Sequence, residues 1–177
     1  MTNETGLVEE RRADRLIGLP LKRGGKIPSL DHLLQTWPSA TPLLCELKID
    51  GSTDPVGFAE TVGAALDAFQ GPVAAMSFSA EAVAALPKTL MRGQLVPPLK
   101  EVSDVELETL LASDADYVAC HYKDARAAKL QAARADRPLI VWTVRNERDC
   151  LDLVSVTDAQ IFEGFDPALA KRHILNR

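Results

Sequence analysis

The sequence predicts a parallel α/β chain that forms part of a (βα)8 barrel of the TIM type, with about six strands joined by crossover helices and the first two strands missing. Three observations predict it. Short apolar runs alternate along the chain with longer segments of helical spacing. Strand, helix and strand recur at roughly 20–25 residues, a length that parallel strands need for their crossovers. No glycine-rich turn of the phosphate-binding kind follows any run, which favours a barrel over a doubly wound sheet. A barrel of this kind has eight strands in about 250 residues. This chain has 177 residues and six strand-like runs.

The elements follow in order. Thr2 to Gly25 is polar and weakly patterned, so residues 1–26 read as a surface excursion and 27–177 as the barrel portion of a single incomplete domain, 1–177. Ile27–Pro28 is extended, and Ser29 caps a helix whose apolar face holds Leu30, Leu33 and Leu34. Leu43–Ile49 is the first strand. Asp54 caps the next helix, with Pro55 at its first position, and Val56, Ala59, Val62, Leu66 and Phe69 fall at helical spacing. Val73–Phe78 is the second strand, followed by a short helix from Ala80 to Leu86 that Pro87 stops. Gly93–Val96 is the third. Val102–Ala112 reads as a helix with Ser103 and Glu106 as a capping box. Tyr117–His121 is the fourth strand. Asp124–Ala135, rich in Ala, Arg and Lys, reads as a solvated helix. Leu139–Val144 and Gln160–Phe165 are the fifth and sixth strands, with a capped helix at Asn146–Val154 between them and a closing helix at Pro167–Ile174.

Composition narrows the class. Hydrophobic residues are 46% and charged residues 25%, ordinary for a globular protein. A net charge of −5 with no basic stripe excludes a nucleic-acid surface. Met1 to Arg15 has no apolar stretch of signal-peptide length, and no run approaches the roughly 20 residues that span a bilayer. Cys45, Cys120 and Cys150 are far apart, with no Cys–x–x–Cys pair. Cys45 and Cys120 sit in apolar runs, as reduced thiols of a cytoplasmic protein do.

The chemistry-bearing residues are sought at the C-terminal ends of the strands, where parallel barrels carry their sites. Glu46 and Lys48 end the first strand two residues apart, so they share a face. Glu46 suits a hard cation such as Mg²⁺ or Ca²⁺ as an oxygen ligand, and Lys48 suits a phosphate or developing oxyanion. The alternative is an ion pair closing a strand end. Trp142 forms either an apolar wall for a substrate or a core ring filling the mouth. His121 ends the fourth strand and reads either as an acid or base or as a solvent-bonded histidine at the start of a loop. His32 and His173 read as surface residues. Glu163 suits the site or a strand end turning into a helix.

Ile27–Pro28–Ser29–Leu30, Glu46–Leu47–Lys48 with Asp50–Gly51, Met76–Ser77–Phe78, Arg92–Gly93 and Trp142–Thr143–Val144 occur in one order along the chain. That series resembles the latter two-thirds of the glycerophosphodiester phosphodiesterase domain, from about Thr5 to the end. The resemblance implies a (βα)8 barrel that hydrolyses small-molecule glycerophosphodiesters to an alcohol and glycerol phosphate, with a divalent cation and a pair of acid–base histidines. It implies that Glu46 ligates the metal, that Lys48 lies near the phosphate and that Trp142 lines the pocket.

The departures are as specific. The family's opening His–Arg–Gly strand, Glu–Asn–Thr turn, acidic pair and His–Asp motif do not occur here. No residue of this sequence therefore takes a catalytic role by resemblance. A misplaced start, a truncated gene or a shortened chain would each give this pattern. The expectation is a family hydrolase represented by an incomplete, inactive chain. The alternative is a non-catalytic barrel remnant that binds a phosphate ligand or a partner. Two open edges also predict self-association.

Overall fold

The computed structural model describes residues 11–22, 24–166 and 168. Six strands form one sheet: β1 (Leu43–Leu47), β2 (Val73–Ser77), β3 (Met91–Val96), β4 (Tyr117–His121), β5 (Leu139–Val144) and β6 (Ala159–Phe162). Each pairs in parallel with the next, and their order in the sheet is their order in the sequence. A doubly wound sheet reverses its strand order at a switch point. This sheet has none, so it curls in one direction as an open half-barrel, and β1 and β6 are its two edges among the described residues.

The helices are α1 (Ala13–Leu16), α2 (Leu30–Thr36), α3 (Pro55–Asp67), α4 (Ala80–Ala85), α5 (Asp104–Leu111), α6 (Ala128–Arg134) and α7 (Glu147–Leu153). Their starts are set by side chains that satisfy free backbone N–H groups. Ser29 accepts from His32 N, and Asp54 accepts from Val56 and Gly57 N ahead of α3. Ser103 and Glu106 make a reciprocal capping box on α5. Asn146 accepts from Asp149 N on α7.

Boundaries differ from expectation in instructive places. The first strand stops at Leu47, so Lys48 and Ile49 lie beyond the ladder. The third begins two residues earlier, at Met91. The segment from Asp124 is not one solvated helix. A 3₁₀ turn spans Tyr122–Asp124, and the helix itself begins at Ala128 and buries Leu130 completely. The expected closing helix at 167–174 lies outside the described residues, apart from Ala168.

Alternation divides each strand between two faces. The outer face packs on the helices in two clusters. Leu47 and Ala75 meet Ala59, Leu66, Ala82 and Leu86 on one side. Val96, Val118, Cys120, Leu139 and Val141 meet Leu107, Leu130 and Leu153 on the other. The inner, concave face carries a third cluster of Met76, Leu95, Tyr117 and Ala119, with Ile140, Trp142 and Ile161 packed against it.

Tyr117 fills the floor of this concave face. Its ring crosses β3 at Gly93, and its hydroxyl donates to Ala75 O on β2 at 3.2 Å. A Cβ at Gly93 would lie 2.2 Å from the ring. Glycine inside a strand marks such a close approach. Burial pushes the Tyr117 phenol above its ordinary range, so the ring stays neutral.

Polar ties hold the strand starts. Asp158 accepts from Leu139 N at 2.8 Å and pairs with Arg134, whose hydrogen bond holds the carboxyl below its usual range. Among the described residues no helix is long and apolar enough to cross a membrane.

Candidate functional site

The C-terminal ends of the six parallel strands form the mouth of the half-barrel. Register fixes which residues face it. Glu46 aligns with Met76, Met76 with Gly93 and Gly93 with Tyr117, so the Glu46 side chain shares the inner face with the third cluster. Two residues on, Lys48 continues that phase past the end of β1. The two form an ion pair, Lys48 Nζ to Glu46 Oε1 at 2.8 Å. The lysine side chain is 71% exposed and the glutamate 31%, so the pair is solvated and adds little to stability. Its ammonium is free to turn toward an anion.

Trp142 stands on the same inner face, opposite His121 in register. Its indole N–H donates to Ala119 O at 3.3 Å, which fixes the ring's tilt. The Phe78 ring meets it edge-on at 5.7 Å between centroids, and His121 meets it edge-on at 5.4 Å. The Trp142–Thr143 peptide is cis. Three rings from the ends of β2, β4 and β5 thus make an aromatic wall. T-shaped contacts of this kind hold rings in place by quadrupole attraction.

The His121 side chain is a quarter exposed and packs against Trp142 and Tyr122. Its Nδ1 lies 4.0 Å from Asp124, whose carboxylate already accepts from Leu99 N. Glu163 sits at the mouth beyond β6 and pairs with Arg145. His32 is exposed on α2, and His173 lies outside the described residues.

Phe78, from the Met76–Ser77–Phe78 motif, and Arg145 belong to this rim, and neither takes a role from sequence alone. Gly93 in mid-strand was a signal for the ring that crosses it. The buried Gln94 beside it gave none.

Burial pushes Cys120 up to about 12, and it raises Cys45 and Cys150 as well, which disfavours their thiolates at neutral pH.

The family resemblance implies a divalent cation at this mouth. Mg²⁺ and Ca²⁺ take six or more oxygen ligands, several of them commonly carboxylates. Among the described residues no group of three or more His, Cys, Asp or Glu converges, and the Glu46 carboxylate is engaged by Lys48. These residues supply one ligand and do not by themselves make a cation cage.

No protein-family model matches the sequence, and no curated protein matches it. Solved structures do match. A phosphodiesterase from Oleispira antarctica, in complex with the product sn-glycerol-3-phosphate, superposes with a TM-score of 0.74 at 19% identity over 98% of this chain and 74% of its own. The chain has the fold of the glycerophosphodiester phosphodiesterases. A putative glycerophosphoryl diester phosphodiesterase from Agrobacterium tumefaciens gives 0.73 at 19% identity, over 99% of this chain and 75% of its own. One from Silicibacter pomeroyi gives 0.67 at 17% identity, over 85% of this chain but only 57% of its own. The family whose motifs the sequence resembles and the family whose fold it shares are the same.

Proposed function

We propose that this chain is the phosphate-ester-binding portion of a cytoplasmic, metal-assisted glycerophosphodiester phosphodiesterase, which splits a small diester into an alcohol and glycerol phosphate. The observation that carries the reading is the mouth. Glu46 and Lys48 leave β1 on the same inner face as the Trp142 wall, at the strand ends where parallel barrels hold their ligands. A fold neighbour with sn-glycerol-3-phosphate bound supports the choice of ligand.

In this reading Lys48 swings from Glu46 to the phosphate as a point charge. Glu46 would then offer one oxygen ligand to Mg²⁺ or Ca²⁺, whose charge would offset that of the phosphate. Trp142 and Phe78 cover the glycerol carbons and exclude water. No proton transfer is assigned to these residues. The 177-residue chain therefore binds the ester without turning it over.

The test is a titration of sn-glycerol 3-phosphate followed by Trp142 emission. Lys48→Ala is expected to weaken binding roughly tenfold, as loss of one charge-assisted contact does. Equal affinity in wild type and Lys48→Ala would refute the phosphate role.

The two sheet edges bear on partners. Among the described residues, backbone N–H and C=O groups of β1 and β6 lack a strand neighbour on one side, and Leu44 and Phe162 are exposed on those edge strands. The chain is expected to self-associate through them. A monodisperse monomer by light scattering at tens of micromolar would contradict this.

A further inference from the structure

The mouth depends on a buried polar tie that lies behind it. Ser77 and Gln94 are in register on neighbouring strands, and both are fully buried. Ser77 Oγ donates to Leu47 O at 2.8 Å and accepts from Ser79 N at 3.1 Å. Gln94 Nε2 donates to Ser77 O at 3.3 Å, Phe78 O at 3.2 Å and Leu95 O at 3.0 Å. The amide orientation follows from its surroundings, because three carbonyls face one NH₂ group. Gln94 Oε1 is buried without a partner. A strand packed against helices gains nothing from a buried amide of this kind unless its donors are needed.

The groups that are tied decide what the tie does. Leu47 O belongs to the residue before Lys48. Phe78 O belongs to the residue whose ring meets Trp142. The two side chains thus lock the ends of β1, β2 and β3 together at the points where the mouth's cation and its aromatic wall emerge.

We propose that Gln94 and Ser77 are positioning residues for the binding mouth. They set the height of Lys48 and the seat of the Phe78 ring against Trp142, without touching the ligand. For its ligand this inference rests on the reading of the mouth as a phosphate-ester site. For its geometry it does not.

The test uses the full chain in a Trp37→Phe background, so that Trp142 alone reports. Gln94→Met removes, at similar volume, the NH₂ group that serves the three carbonyls, Ser77→Ala removes the hydroxyl, and Ser77→Thr restores it. Leu107→Ala, buried on the opposite part of the outer face, controls for lost stability. Acrylamide quenching of ligand-free Trp142 is expected to rise in Gln94→Met and Ser77→Ala. It is expected to stay native in Ser77→Thr and in the folded Leu107→Ala control. The dissociation constant for sn-glycerol 3-phosphate is expected to rise roughly tenfold in the first two, the scale on which misplaced binding groups act. Unchanged quenching in both variants, or an equal change in Leu107→Ala, would overturn the proposal. If the wild-type chain fails to bind the phosphate ester, the reading of the site is wrong, and the quenching alone decides whether the tie seats the wall. Should Gln94→Met not fold, the contrast between Ser77→Ala and Ser77→Thr decides.

Discussion

Incubated with glycerophosphodiesters and Mg²⁺ or Ca²⁺, the 177-residue chain is expected to release no glycerol phosphate above the uncatalysed rate. The argument is chemical. Diester cleavage needs a proton taken from the nucleophile and one given to the leaving alcohol, and each such transfer contributes roughly 10²–10⁴-fold. The sequence holds three histidines. His32 is exposed on α2, and His173 lies outside the described residues. His121 is wedged between Trp142 and Tyr122, with Asp124 already accepting from Leu99 N. The carboxylate beside it, Asp124, lies 4.0 Å from its Nδ1. Among the described residues no group of three or more His, Cys, Asp or Glu converges to cage a cation beside Glu46. A coupled assay for glycerol phosphate checks this. Metal-dependent turnover that disappears in His121→Ala would show that His121 does chemistry the geometry does not assign it.

The second large effect is on stability. Gly93→Ala is expected to lower stability by about 3 kcal/mol, the upper part of the usual overpacking range. The new methyl would sit 2.2 Å from the Tyr117 ring. The ring can yield only by leaving the concave floor and breaking its bond to Ala75 O. For a chain of this size the melting temperature should fall by about 10 °C. Replacing Tyr117 by Leu in the same chain removes the obstacle. The double variant should then lose less than the two single variants combined, with a coupling above about 1 kcal/mol. A Gly93→Ala chain that melts within a degree or two of wild type would show that the ring is not held there.

These two predictions draw on parts of the molecule that were unequally legible in the sequence. The strand and helix alternation was legible because most apolar runs are bounded by a cap or a proline. Ser103 with Glu106, and Asp54 with Pro55, mark helix starts by local chemistry alone. The inward phase of Glu46 and Lys48 was legible from strand alternation. The ion pair between them was one of two readings, and the structure shows the pair. The neighbours of Trp142 were not legible. Phe78 and His121 come from other strands, and only the parallel register brings them within about 6 Å of the indole, the range at which aromatic rings interact. The Gln94 tie was hidden for a similar reason, because its acceptors are backbone carbonyls and carry no sequence signal. The end of β1 at Leu47 was missed because Ile49 extends the apolar pattern beyond the last ladder pair.

Where the ligand sits is the central question, and one measurement addresses it directly. Amide and indole ¹H–¹⁵N shifts of the 177-residue chain should be followed while sn-glycerol 3-phosphate is added. The account predicts saturable shifts at Lys48, Phe78 and the Trp142 indole N–H, all at the mouth, with the Trp37 indole between α2 and α3 unmoved. The absence of saturable shifts at the mouth, or shifts confined to the Trp37 indole, would contradict it.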